Sequence, residues 1–592
     1  MSDFIYTRTS MEPGVLANNL QAIYGKDYPP VKEYHGPWGS LAVSDSLYHG
    51  FQVYETTHHV CVVIGGPVLE FQDNSFLQSG LNHEGTKAIY QRWLEGSMLW
   101  DEDVSGPFSI LIVNKLTSEI QCITDIMSFI PVYFFRENDN IMLSTHVDVL
   151  AHASGEQHLV DVVSKVDFIL HGVVTYPYTV YKNIRQLQPA SLHVVVGETS
   201  HLQTKDYWTP AEKYSYRTID EAAHTLRRYI KDYVDIVVTN SSSIAQFISG
   251  GEDSRALAAL LANEIKHDAF VFLDSMNREG RVAKKAAKAY NANFILAERG
   301  EQHYLNILQP SSDLVGEGAQ YFHAHTFGFH KYCKLHDYDA VFGGLFSDAL
   351  LKGARVKKIK GSRRVPFIPQ IKWKSYSVTK SISNGVFNDQ ILSELTKRRQ
   401  AHFQYVRKYR DQSAVEWFEL WPSSMNMNIA NLHVNRRLFR SYEPFMSKDV
   451  VKLSAAVPQS WKLNRRLFHK AAKPLLKPTK WLLHSEGRLP YFPWYINSVI
   501  QFGTWLTNEI GVKIGLIKGN QGPWNQWDEL MSSEAWKQAI VEYSSGVNQL
   551  LPALKVQDVF ELFDENQLTY LQHINLMQTL YHGSRIKKAG NN

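Results

Sequence analysis

The chain has 592 residues, 44% of them hydrophobic and 20% charged, which excludes a disordered protein and suggests two or more domains. Lys and Arg number 62 against 58 Asp and Glu, too weak a basic bias to mark a nucleic-acid-binding protein. Three cysteines, Cys61, Cys122 and Cys333, without CxxC pairing exclude a disulfide framework and a structural zinc site; no apolar run reaches membrane-spanning length and no signal peptide is apparent, so a soluble cytoplasmic protein is the expectation.

The first part of the chain reads as strand-rich. LAVSDSLYHGFQVYE, HVCVVIGGPVLEF, GPFSILIVNK, IQCITDI, PVYFFRE and IMLSTHV are β-branched or aromatic runs separated by turn residues. NHEGTKAIYQRWLEG and VDVVSKVDFILHG interrupt them with apolar residues at helical spacing. SLHVVVGETSHLQTKDYWTP reads as a closing strand pair. A boundary is placed at residue 212, giving a first domain of 1–212 and a second of 213–592.

The pattern then changes. A long helix, TIDEAAHTLRRYIKDYVDIVV, leads to the strand SIAQFIS, a glycine turn, and the helix SRALAALLANEI. DAFVFLD, GRVAKKAAKAYNA, NFILAE and, later, YDAVFGG continue the alternation of strands and helices, which implies a parallel sheet. Beyond Lys374 the chain reads as mostly helical.

The turn Ser249-Gly250-Gly251-Glu252-Asp253-Ser254 sits where a parallel sheet binds its ligand. Two glycines permit close backbone approach and the following helix adds its N-terminal partial charge. With the hydroxyls of Ser249 and Ser254 this makes an anion cradle suited to phosphate. It is neither a Walker A nor a GxGxxG loop. A pyrophosphate leaving group calls for a divalent cation, and Asp253 is a candidate ligand.

SGGEDS resembles the pyrophosphate loop of ATP pyrophosphatases, and SRALAALL resembles its extension in the asparagine synthetase-like branch. VFGGLFSDALLKG is similar to the family's GxGxDExxGG segment, with Ala349 in place of the glutamate and Lys352-Gly353 in place of the last glycine pair. The resemblance implies ATP and Mg²⁺ as cofactors. It places Asp348 beside Asp253 on the metal and Gly343 and Gly344 at the nucleotide. Phe272, Leu273 and Asp274 fall by the adenine, and Glu279 is a weaker match to the family's helix-start glutamate. RSYEPFMSKDVVKLSAAVPQSWKLNRRLFHKAAKPLL looks like the family's RxPFLD region, with Arg466 and Lys470 near its basic residues. His484 and Arg488 both stand as candidates for the catalytic lysine's place.

The strand-rich half resembles the glutaminase domain of class B asparagine synthetases. The family fold is therefore α/β in two domains: an Ntn-hydrolase-like αββα sandwich and an ATP-pyrophosphatase parallel sheet with a helical extension. A working glutaminase of this type opens on a cysteine, and here the chain reads Met1-Ser2-Asp3-Phe4. Ser2 without the surrounding motif implies an inactive glutaminase.

The resemblance implies an AMP-forming amide ligase. A carboxylate-bearing substrate, a peptide in the lasso-cyclase branch, would be activated as an acyl-adenylate and attacked by a substrate amine. β-Lactam synthetases and lasso-peptide cyclases share this logic; the latter imply a partner protease or leader-peptide-binding protein. Ammonia-dependent amidation of a sugar acid or other metabolite and a catalytically silent ATP-binding scaffold or interaction protein are the alternatives.

Two further stretches stand out. Residues 349–388 hold ten Lys or Arg and no acid, which reads as a solvated loop or as a basic cover over the site. FHAHTFGFHKYCKLHDYD carries His323, His325, His330 and His336 without a four-ligand spacing, so it is read as a helix lining the cleft rather than a zinc site.

Overall fold

A computed structural model describes residues 3–589 except 27, 79, 81, 139, 197–200, 262–266, 360–365, 374–381, 383–384, 485–486, 514–526, 556–558 and 564–566. Ser2, Arg363 and Arg364 lie outside the described residues.

Two antiparallel sheets build the first domain. One orders its strands 184–186, 133–137, 140–144, 4–7, 39–44 and 31–36; the other runs 202–206, 191–195, 120–124, 108–114, 59–65 and 54–55. Alternation along each strand sorts the side chains into layers. Phe4, Tyr6, Leu41 and Val43 meet Val62, Ile64, Leu111 and Val113 between the sheets. Ile5 and Ala42 face outward onto Leu16, Leu20 and Leu150 of the helices Val15–Ala22 and Val147–Ser154. On the other outer face Cys61, Val63 and Ile110 cover Ile89 of the helix Glu84–Leu94. The result is the αββα order expected from the sequence, although the helices 15–22 and 147–154 and the strand 4–7 had no signal that the reading used.

The last strand of this sandwich ends at Asp206, and helix α1 (Ile219–Thr239) opens the second domain. Thr218 caps α1 by accepting from the Glu221 N–H at 3.1 Å, while Glu221 accepts from the Arg217 N–H at 3.0 Å. The parallel sheet has five strands: β1 (Ile244–Phe247), β2 (Asp268–Leu273), β3 (Asn293–Glu298), β4 (Ala340–Phe342) and β5 (Ser441–Tyr442), in the order β3-β2-β1-β4-β5. All neighbouring pairs are parallel. Strand order reverses between β1 and β4, so the crevice beyond their carboxyl ends is the ligand site that the topology prescribes. Helices α2 (Glu252–Leu261) and α3 (Arg278–Ala289) follow β1 and β2.

Helix α4 (Ile429–Leu438) and the C-terminal helix α5 (Tyr570–Ala589) pack this domain against the first. The interface is polar as well as apolar. Lys165 and Glu317 form a fully buried pair at 2.5 Å, and Tyr48 donates its hydroxyl to the Ser441 carbonyl at 3.1 Å. No helix among the described residues is long and apolar enough to cross a membrane.

Candidate active site at the sheet switch point

The loop after β1 is closed on itself. The Gly251 N–H donates to Ser249 Oγ at 3.0 Å, and the Ser249 N–H donates to Ser254 Oγ at 3.0 Å. The Gly250 N–H donates to Glu279 Oε1 at 2.5 Å. Glu279 stands in the first turn of α3, 3% exposed, and a β-carbon on Gly250 would lie 3.2 Å from both its carboxylate oxygens. A side chain at this position would also crowd Val282 Cγ1 at 3.1 Å, so glycine gives the carboxylate and the apolar neighbour room. Arg255 ties the loop to the segment beyond it, donating to the carbonyls of Gly250 and Leu482 at 2.8 Å each.

Beside this loop lies a cavity of about 260 Å³ at the ends of β1, β2 and β4. Phe247, Phe272, Arg299, His325, Gly343 and Gly344 contribute to its wall. Phe272 stacks on Phe329 with centroids 4.5 Å apart. Leu273, expected here, faces the other side of the sheet toward α3, because neighbouring strand residues point to opposite faces. Asp274 stands at the strand end, where its carboxylate meets Arg299 Nε at 3.0 Å. His325 comes from a run of short turns rather than one helix; among the described residues no group of His, Cys, Asp or Glu is arranged to hold a metal ion.

Glu443 also lines the cavity, fully buried and without a cationic partner in its hydrogen-bond set. Burial pushes its carboxyl up to about 8, partly offset by the Leu345 N–H and the Ser441 hydroxyl. A β-carbon on Gly343 would come within 2.2 Å of Glu443 Oε1, so a larger residue there would displace this carboxyl.

The charged part of the site lies on the other side of the loop. Asp253 and Asp348 converge, as expected of a pair sharing one cation. The cation between them is Lys352. Its Nζ donates to both oxygens of Asp253, at 2.5 Å for Oδ2, and stands 2.8 Å from Asp348 Oδ1. Ser347 Oγ donates to Asp253 Oδ2 at 2.7 Å. Glu252 is buried next to them, bonded to Arg465 and with Arg488 Nη1 at 3.7 Å. Burial opposes ionisation of Glu252, but Arg465, Arg488 and Lys352 hold its carboxyl far below the usual range. Burial raises Asp253, with Asp348 and Glu252 adding to it and Lys352 opposing. Asp348 is lowered: burial works against it, and Lys352 and Arg465 overcome that.

A Mg²⁺ ion requires oxygen ligands at ~2.1 Å in octahedral geometry. The carboxylates have the right chemistry, but the ammonium already bridges them, so the residues as arranged do not fit the ion.

Two expected basic residues are elsewhere. Lys470 is bonded to Asp220 on α1 at 2.5 Å, at the surface, and Arg466 is exposed. Arg465 takes the place. Asn464 and Arg465 adopt left-handed backbone, φ 54° and 58°, before the helix Arg466–Ala472, and this turn directs Arg465 back to Glu252. Arg488 is buried at the site, and the His484 ring comes within 4.0 Å of a β-carbon placed on Gly251. The sequence reading passed over Glu252, Lys352, Arg465, Arg299 and Glu443. Of these Glu252, inside the SGGEDS loop, and Lys352, four residues after Asp348 in a helical stretch, had a local signal.

A second, smaller cavity of about 60 Å³ adjoins Glu252, Arg465 and Arg488; Ile368, Phe492 and Trp494 contribute its apolar wall. Outside it, the helix α6 (Trp494–Lys513) exposes Tyr495, Val499, Phe502 and Trp505. The described part of the basic segment is tied down: Lys357 pairs with Glu419, and Lys358 donates to the Gly353 carbonyl at 2.7 Å.

Residues 71–208 match the family described as glutamine amidotransferase domain, and residues 225–485 match asparagine synthase. The glutamine-hydrolysing asparagine synthetase 3 of Bacillus subtilis (strain 168) is 21% identical over 189 residues, which is 31% of this chain and 30% of that relative. Among solved structures, the glutamine phosphoribosylpyrophosphate amidotransferase of B. subtilis, complexed with ADP and GMP, is similar at a TM-score of 0.23 and 8% identity, covering 42% of this chain and 61% of that one. A structure described as the allosteric regulatory enzyme of purine biosynthesis gives the same TM-score, 0.23, and 8% identity over 50% of this chain and 80% of its own.

Proposed function

Because this chain belongs to an asparagine synthetase-like family, we propose that it is an ATP-dependent amide-bond ligase of the AMP-forming kind. The observation that carries the reading is the pairing of the SGGEDS loop with an apolar cavity at the β1/β4 switch point. In that arrangement the adenine lies against Phe272 and the triphosphate crosses the loop. A substrate carboxylate oxygen attacks the α-phosphorus, the α–β anhydride bond breaks, and pyrophosphate leaves. An amine then attacks the acyl carbon, AMP leaves, and the amine proton passes to a base. Arg465 and Arg488 face the charge that builds up. His484 can take a proton and Arg488 cannot, so His484 is assigned the shuttle.

The amine belongs to the substrate. All three cysteines are buried, and burial pushes the thiols of Cys61 and Cys122 far above their usual range, so the first domain offers no thiolate to release ammonia from glutamine. The apolar rim of the smaller cavity and the aromatic face of α6 suit an extended apolar chain. Both favour a peptide acid, as in lasso-peptide cyclases, with a protease or leader-peptide-binding protein as partner, over a sugar acid amidated by free ammonia.

ATP–pyrophosphate exchange tests the reading. Exchange that depends on an added peptide acid and is lost in Ser249→Ala supports it. Binding of ATP without exchange for any acid would support a silent nucleotide-binding scaffold, the reading that the self-closed loop favours.

A further inference from the structure

Lys352 replaces a glycine of the family segment, and its surroundings are those of a bound cation. Its side chain is 2% exposed. Asp253, Asp348 at 2.8 Å and Glu252 at 3.8 Å surround the ammonium, and the Phe468 ring covers it with its centroid at 4.9 Å. The helix Ser347–Leu351 brings Asp348 and Lys352 to one side one turn apart, and the N-terminus of α2 supplies the other two acids.

Charge is balanced without any ion. Three carboxylates, Glu252, Asp253 and Asp348, face three cations, Lys352, Arg465 and Arg488, each joined to at least one acid within 4.0 Å. A divalent ion placed between the aspartates would add two charges to a neutral cluster and stand against a buried ammonium. The Lys352 ammonium is buried beside Glu252 while Asp348 is exposed, so the repulsion is only partly screened by solvent.

We propose that Lys352 is a resident cation: it holds the Asp253–Asp348 pair in the form a metal ion would give it, and the pair binds no divalent cation while the ammonium is in place. The aspartates then position Lys352 at the phosphate loop, and any divalent ion in the reaction comes with the nucleotide rather than from the protein. This builds on the reading of the loop as a nucleotide site, but its test does not depend on catalysis.

Mn²⁺ alone is the probe, titrated into the full chain without nucleotide and followed by the loss of its free electron-spin-resonance signal. Wild type is expected to bind none through this pair, so Asp253→Asn leaves the titration unchanged. Lys352→Met keeps the volume and removes the charge. It is expected to create one site at least about tenfold tighter than any in wild type, lost again when Asp348→Asn is added. A Mn²⁺ bound by wild type and lost in Asp253→Asn overturns the proposal, as does a folded Lys352→Met protein that gains no site. If Lys352→Met fails to fold, the wild-type and Asp253→Asn pair decides by itself. Loss of ATP–pyrophosphate exchange would sink the ligase reading and leave this result standing.

Discussion

Asp3 and Arg437 form a two-point ion pair across the domain interface, with Nε donating to Oδ2 at 2.8 Å and Nη2 to Oδ1 at 2.8 Å, both side chains buried. Arg436 Nη2, Thr145 Oγ1 and the Tyr24 hydroxyl fill the remaining sites on the carboxylate at 2.9, 2.8 and 2.6 Å. The residue before the first strand of the first domain is thus tied to a helix of the second.

Removing one partner of a buried, fully bonded pair leaves the other charge stranded. Asp3→Ala is expected to cost about 3–5 kcal/mol in urea unfolding at neutral pH. Burial opposes the charge on Asp3, yet Arg436 and Arg437 hold its carboxyl well below the usual range. Its contribution is therefore complete above the ordinary Asp pKa and is lost only as pH falls toward the lowered one. A cost below ~1 kcal/mol at pH 7 would rule the tie out.

Glu443 gives the opposite sign. Its carboxyl is raised to about 8, so across neutral pH the folded state keeps a proton that the unfolded state has lost. Stability should fall as pH rises from the ordinary Glu range to about 8, and level off beyond. Glu443→Gln keeps the shape and does not titrate. Its melting temperature should overtake that of wild type toward alkaline pH, with a free-energy difference of at most a few kcal/mol. Parallel pH profiles for the two proteins would contradict this.

Arg465, not Lys470, should matter for adenylation. Arg465→Ala is expected to lower ATP–pyrophosphate exchange by about a hundredfold, the usual scale for losing a charge-stabilising donor. Lys470→Ala, which removes only a surface pair with Asp220, should stay within about twofold. Melting curves run beside the assay separate lost chemistry from the exposure of Glu252.

Glu279 occupies the Gly250 N–H that the proposed phosphate contact would use. Glu279→Gln removes the negative charge and keeps an acceptor. Pyrophosphate binding, read by calorimetry, is expected to tighten by about tenfold, or ~1.4 kcal/mol. Unchanged or weaker binding would mean that the carboxylate shapes the loop instead of blocking it.

Glutamine should not be hydrolysed. A coupled ammonia assay with the purified chain is expected to read background, and Ser2→Ala should not alter it. Ammonia release that Ser2→Ala abolishes would restore a working first domain.

Much of the architecture was legible because its signals are local. Strands β1 to β4 lie in apolar runs that lead into glycine or acid, and SGGEDS follows β1 after one residue, whereas β5, only Ser441–Tyr442, carries no such signal. The charged centre was legible only in part, because it is assembled from residues 252–253, 348–352, 465 and 488, brought together by tertiary packing. Arg465 and Arg466 are neighbours in sequence, and only the left-handed turn at Asn464 decides which one faces the site. Leu273 shows the same limit on a strand: a motif can locate the strand end, but a shift of one residue changes the face.

The tie at Asp3 also sets an order of events during synthesis. Its partner lies 434 residues further along the chain. At ~5–20 residues per second a ribosome needs roughly 20–90 s to make that stretch. Through that interval the amidotransferase-type sandwich can fold around its own two sheets, but the residue just before its first strand is an acid whose counter-charges have not been made. The domain that comes first in the chain is thus completed only after much of the second has been made, by a helix of that second domain.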